Sequence, residues 1–205
     1  MATNAQVVAF INKLGALAVN ECNIRAASGK GFVLPSVCMA QAAHETGWGT
    51  AGIMVKANAY FGIKAGGSWT GAVYTADTWE VKNGEAYNTS ANFRAYSDPA
   101  QSVYDYYELI ANNSRYSSAL STLDNRQTPE QVLTAIWAGG YATDPLYVEN
   151  IMDLMNGRNL QEWDDKVTGI AENANSNLPS VYVPTTPPDP NIFIKNIFIP
   201  IMYED

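Results

Sequence analysis

A chain of 205 residues with 47% hydrophobic and 16% charged side chains is long enough for one sizeable core, and too apolar for a disordered or coiled-coil protein. Twelve Lys and Arg against twenty Asp and Glu leave a net charge of −8, the wrong sign for gripping phosphate, which sets nucleic acid and anionic membrane aside as partners. Five Trp and twelve Tyr offer flat faces with a polar handle that suit sugars as well as core filling.

The N-terminus, Met1-Ala2-Thr3-Asn4, does not read as a secretory signal peptide, and no run of about 18 apolar residues reads as a transmembrane helix. Val7, Phe10, Ile11, Leu14, Leu17 and Ala18 recur at helical spacing, which predicts an amphipathic helix from about 4 to 26, capped by Thr3 or Asn4 and ended by Ser28-Gly29-Lys30-Gly31. Cys22 and Cys38 are too few for a disulfide scaffold and read as buried free thiols, a single bridge being the alternative. Pro35 suits the first turn of a second helix running to Glu45, where Gly47 and Gly49 stop it. From Trp69 to Tyr96 the pattern turns to period two around Asn83-Gly84, the signature of a β-hairpin with a type I′ turn. Helical patterns return at 99–113, at 129–138 behind Thr128 and Pro129, and from Pro145 with Asp144 as cap. The fold class is α+β, mainly helical, with one β excursion.

Several chemistries fail on inventory. His44 is the only histidine, so a two-histidine zinc helix is impossible, and a nucleophile–His arrangement would have to use the residue beside Glu45. Lys64-Ala65-Gly66-Gly67 lacks the spacing of a phosphate loop. Hydrolysis by carboxylates remains. Glu45 closes a small, apolar helix, Met39-Ala40-Gln41-Ala42-Ala43-His44-Glu45, where desolvation favours the neutral carboxyl that a general acid needs; the competing reading is a solvated helix-end residue.

The run Gln41-Ala42-Ala43-His44-Glu45-Thr46-Gly47-Trp48-Gly49, followed by Asn58-Ala59-Tyr60-Phe61-Gly62-Ile63-Lys64, resembles the glucosaminidase family of peptidoglycan hydrolases. Thr78-Trp79-Glu80 with Asn83-Gly84, Asn92-Phe93-Arg94-Ala95-Tyr96-Ser97 and Gly139-Gly140-Tyr141-Ala142-Thr143-Asp144-Pro145-Leu146-Tyr147 match in the same order, so the likeness spans about residues 5 to 155. The resemblance implies a lysozyme-like helical domain whose cleft is flanked by the hairpin. It also implies cleavage of glycan between N-acetylglucosamine and N-acetylmuramic acid, with no metal or organic cofactor. By the same resemblance Glu45 matches the general acid, Glu80 the second carboxylate, and Tyr141 a tyrosine that orients the reacting sugar. Glu85, just past the turn, is a rival for Glu80.

Trp48, Phe61, Lys64 and Tyr147 are candidate substrate contacts, each with packing or simple solvation as its ordinary alternative. Asp144 reads as a helix cap, and Arg94 as the partner of a structural carboxylate. His44 departs from the residue expected before the family glutamate. The expected activity is that of an endo-β-N-acetylglucosaminidase on peptidoglycan. The alternatives are an N-acetylmuramidase or lytic transglycosylase of the same superfamily, and an inactive glycan-binding or virion module, whose mark would be a missing acid.

The expected organisation is a catalytic domain over 1–170, a linker over 171–191 and an apolar docking segment over 192–205. Residues 179–190 hold five of the ten prolines. Nine of the twelve residues 192–203 are Ile, Phe, Met or Tyr, too few to span a bilayer as a helix and suited to docking on a protein partner or folding back on the domain. With no leader read at the N-terminus, delivery to the wall is expected to be that of a phage lysin or a virion component.

Overall fold

The computed structural model describes residues 2–66, 69–82 and 85–170, with only the backbone described for 78–82 and 85–88. The expected turn at Asn83-Gly84 and the segments 171–191 and 192–205 therefore lie outside the described residues.

Helix α1 (Asn4–Ala27) starts at a reciprocal cap: the Gln6 amide nitrogen donates to Thr3 Oγ1 at 3.3 Å, and the Thr3 nitrogen donates to Gln6 Oε1 at 2.8 Å. Its stripe Val7, Phe10, Leu14, Ala18 and Cys22 is buried, and from Phe10 onward it belongs to the main core. Contrary to the sequence expectation, α1 is long and apolar enough by length and composition to cross a membrane, with a mean hydropathy of 1.2 over its best window. That value arises because Ala, Val, Leu and Ile also fill positions beside the buried stripe.

Helix α2 (Pro35–Thr46) is the central element, with every residue from Pro35 to Ala43 buried. Leu34, the residue before it, offers no capping side chain. Asp164 does this from 128 residues away, accepting from the Ser36 nitrogen at 2.8 Å and the Ser36 hydroxyl at 2.6 Å. Asp164 lies in a 3-10 helix, Leu160–Lys166, which also seats Trp163 against α1 at Gly15, where an added Cβ would stand 2.5 Å from the indole ring. Just beyond, the backbone nitrogens of Thr168 and Gly169 donate to Asn23 Oδ1, tying this segment to α1.

The short helix α3 (Gly52–Ala57) was not foreseen, since six residues opening on glycine carry too little periodicity to read. Strands β1 (Val73–Lys82) and β2 (Glu85–Arg94) form a two-stranded antiparallel sheet with Lys82 opposite Glu85, which leaves two residues between them as expected. Helices α4 (Pro99–Ala111), α5 (Pro129–Ala138) and α6 (Tyr147–Asn156) complete the body, together with a second unforeseen 3-10 helix, Ser114–Ala119. Asp98 and Thr128 cap α4 and α5. The last helix is a correction: it begins at Tyr147 rather than Pro145. Asp144 instead closes the preceding turn, accepting from the Leu146 nitrogen at its carboxylate and from the Tyr147 nitrogen at its carbonyl.

Both cysteines are free and buried. Cys22 Sγ lies 3.2 Å from the Tyr107 hydroxyl and donates to the Val33 carbonyl. The base of the hairpin has a separate small core: Tyr74, Ala76 and Ala91 pack on Ile53, Ala57, Ala59, Phe93 and Tyr96. Beneath it Arg94 Nη1 donates to both oxygens of Asp105 at 2.8 Å, and Asp105 also accepts from the Tyr96 hydroxyl. Arg94 is thus the structural ion-pair partner that the sequence suggested.

Candidate active site

The last turn of α2 is where a carboxylate is least comfortable. The C-terminal end of the helix dipole is negative, and the surroundings are the packed centre of the body. Glu45 sits there, partly exposed, and the protein packed around it pushes its pKa from 4.5 up to about 8, with burial as the cause. The carboxyl therefore holds its proton at neutral pH. Thr46 and Gly47 end the helix behind it: the Thr46 hydroxyl donates to the Ala42 carbonyl at 2.6 Å, and Gly47 adopts a left-handed conformation with φ 54°.

Two tyrosines feel the charge of Glu45, namely Tyr141 from the α5–α6 loop and Tyr147 from the start of α6. Their rings lie 6.0 Å apart, and burial raises both hydroxyl pKa values above the ordinary phenol range. The Tyr141 hydroxyl is buried and has no hydrogen-bond partner among the described residues, at a cost of about 1–3 kcal/mol for a group of this kind. The Tyr147 hydroxyl accepts from Gln41 Nε2 at 2.7 Å. His44 is half-buried and meets the edge of the Tyr147 ring at 6.4 Å; burial lowers its pKa, while the nearby Asp144 charge acts the other way.

This chemistry, a protonated carboxyl beside an uncommitted phenol, coincides with a family match. The family model described as mannosyl-glycoprotein endo-beta-N-acetylglucosaminidase matches residues 23–160. The chain belongs to the glucosaminidase family. It is 35% identical over 148 residues to the peptidoglycan hydrolase FlgJ of Salmonella typhimurium, covering 70% of this chain and 45% of FlgJ. It is 34% identical over 141 residues to the exo-glucosaminidase LytG of Bacillus subtilis, covering 66% of this chain and 48% of LytG. The chain thus spans less than half the length of both relatives. Among solved structures, the catalytic domain of the autolysin Auto from Listeria monocytogenes superposes with a TM-score of 0.67 at 29% identity, covering 80% of this chain and 90% of that domain. The glucosaminidase fold, helical with a small antiparallel sheet, is thereby established.

Within this fold the other sequence-chosen residues fall into different places. In β1, Glu80 pairs with Tyr87 and has the same strand parity as Tyr74 and Ala76, whose side chains pack towards the body. Glu85 pairs with Lys82, and by register it falls on that same face, one cross-strand pair nearer the turn among like-facing pairs, roughly 7 Å further along the ribbon. Their side chains lie outside what the structure describes.

Trp48, with φ 63°, is half-buried between the Phe10 ring at 5.7 Å and the Arg158 guanidinium at 5.6 Å. Lys64 is half-buried in a strap that pairs with β2, where the Arg94 nitrogen donates to the Ile63 carbonyl and the Ala65 nitrogen to the Asn92 carbonyl. Phe61 is 1% exposed and stacks on Tyr106 at 4.1 Å, supporting that ring from inside the core. Tyr147 likewise forms a buried wall, with its hydroxyl bonded to Gln41.

Sequence reasoning missed Gln41, Tyr106 and Tyr116 around this site. The available signal was Gln41 itself, the single polar amide inside an apolar helix, one turn before Glu45 and hence on the same face.

Proposed function

We propose that the chain is an endo-β-N-acetylglucosaminidase that hydrolyses the glycan strand of bacterial peptidoglycan. The observation that carries this reading is Glu45, a carboxyl held protonated by burial at the end of a helix, beside a buried tyrosine hydroxyl with no partner among the described residues. Glu45 gives its proton to the glycosidic oxygen as the bond breaks. The Tyr141 hydroxyl, without a partner among the described residues, orients the reacting sugar. Glu80 faces the oxocarbenium-like centre from the hairpin and either activates water or assists attack by the substrate's own 2-acetamido group. Trp48 and Lys64 are proposed as contacts with neighbouring sugars. The likeness to FlgJ, a peptidoglycan hydrolase, and to LytG, an exo-glucosaminidase, supports the substrate class.

Analysis of the ends released from purified sacculi tests this. New reducing N-acetylglucosamine on oligomeric fragments is expected, and new reducing muramic acid or anhydro ends would replace it with the muramidase or lytic transglycosylase reading. We also propose that the enzyme is phage-encoded, as a lysin or a virion component, supported by the Pro-rich and apolar composition of residues 171–205, which suits docking on a partner chain. Immunoblotting of purified particles checks it: absence from them removes carriage in the virion.

A further inference from the structure

Gln41 is fully buried, and both ends of its amide are occupied. Its Oε1 accepts from the Tyr106 hydroxyl and its Nε2 donates to the Tyr147 hydroxyl at 2.7 Å, so one side chain of α2 ties a ring of α4 to a ring of α6. An amide buried in a helix of Val, Met, Cys and Ala costs free energy unless each of its polar atoms is paired, and a Met or Leu would fill the same space without that demand. The pairing it makes is specific. Phe61 stacks under Tyr106 and holds that ring rigid, so the amide transmits a fixed position from α4 across α2 to Tyr147. Tyr147 is one of the two rings whose hydroxyls feel the charge of Glu45, and Gln41 and Glu45 share a helix face one turn apart.

We propose that Gln41 is a positioning residue for Glu45: by clamping Tyr106 and Tyr147 together it holds the Tyr147 ring as the wall that keeps water from the carboxyl. This rests on the catalytic reading of Glu45. The titratable groups that feel the charge of the acid are Tyr147 from α6 and Tyr141 from the α5–α6 loop; Tyr106 from α4 and Tyr116 from the 3-10 helix before α5 act on those two tyrosines, and Asp144 acts on His44. Two carboxylates on elements packed against α2 are engaged elsewhere, Glu21 of α1 with Arg25 and Asp164 with Ser36. Burial therefore sets the protonation of the acid, and the wall that Gln41 holds is part of it.

The test is the pH dependence of kcat/KM on sacculi or a soluble glycan fragment, whose alkaline limb reports loss of the proton from the acid. Gln41→Met keeps the volume and cuts both bonds, and Tyr147→Phe keeps the ring and cuts one. Each is expected to move the alkaline limb down by about one pH unit, because the loosened wall admits water. KM should change less than kcat, and the double variant should move the limb no further than the larger single shift, because both substitutions break the same contact. Lowered melting temperatures with an unmoved limb, or shifts that simply add, would overturn the positioning role and leave Gln41 a packing residue. Glu45→Gln in the same assay separates the two levels. If it is inactive while Gln41→Met and Tyr147→Phe leave the limb in place, only the positioning role falls. If it stays active, the catalytic reading falls and the positioning role with it.

Discussion

The two carboxylates proposed for the chemistry are held in opposite ways. Glu45 ends a helix walled in by α1, α5 and α6, whose N-terminus is fixed by Asp164 and whose middle is clamped by Gln41. Glu80 is on a two-stranded ribbon, and among the described side chains the ribbon's contacts with the body come from its base, at Tyr74, Ala76, Ala91, Phe93 and Arg94. An isolated two-stranded sheet is marginal in water, so the base anchors it. The difference matches the two tasks. An acid needs a dry, invariant setting that raises its pKa, whereas the group that meets the sugar from the opposite side needs reach over a polymer that must enter and leave.

The largest expected effect falls on the fixed side. Glu45→Gln keeps the shape and removes the proton, so wall hydrolysis should drop by about 10² to 10⁴. The same variant should be more heat-stable than the wild type above pH 8. A carboxyl whose folded pKa is raised from 4.5 to about 8 binds its proton more tightly in the folded state, so its contribution to stability is lost as pH rises through that window. Melting curves at pH 5 and pH 9 check the sign: the gap between variant and wild type should open only at the higher pH.

On the ribbon side, Arg94→Met leaves Asp105 buried without its ion pair and should cost about 3–5 kcal/mol in unfolding free energy, read by denaturant titration. A loss below about 1 kcal/mol would mean that the hairpin is anchored by its small apolar core alone. Gly15→Ala probes the body, since the new methyl would meet the Trp163 ring and should cost about 1–3 kcal/mol. The smallest effect on stability is expected from Asp164→Ala, about 1 kcal/mol for a lost helix cap. Comparing Glu80→Gln with Glu85→Gln on one substrate completes the contrast. Glu80→Gln should reduce activity less than Glu45→Gln if the acetamido group does the nucleophilic work, and an inert Glu80→Gln beside a damaging Glu85→Gln would move the second carboxylate one pair along the ribbon.

What could be read from the sequence follows the range of each interaction. The Thr3–Gln6 and Thr128–Gln131 caps are local, as is the hairpin register around Asn83-Gly84, and each announced its element. Glu45 was legible because a carboxylate closing an apolar helix is costly in itself. The cap that Asp164 supplies to Ser36 and the bond from Gln41 to Tyr147 cross 128 and 106 residues, and no local pattern encodes them. The sequence leaves Phe61 open between cleft and packing, because an aromatic beside glycine suits both, and its stacking on Tyr106 is a contact from a distant helix that no local pattern encodes.

The proton that Glu45 keeps is what makes it a general acid. Carbon-13 NMR titration of protein labelled at the glutamate side-chain carboxyls, with the Glu45 signal assigned by its absence from Glu45→Gln, observes that proton directly. The prediction is a midpoint near pH 8. A midpoint near the ordinary value of 4.5 would mean an ionised carboxylate at neutral pH and would contradict the general-acid assignment.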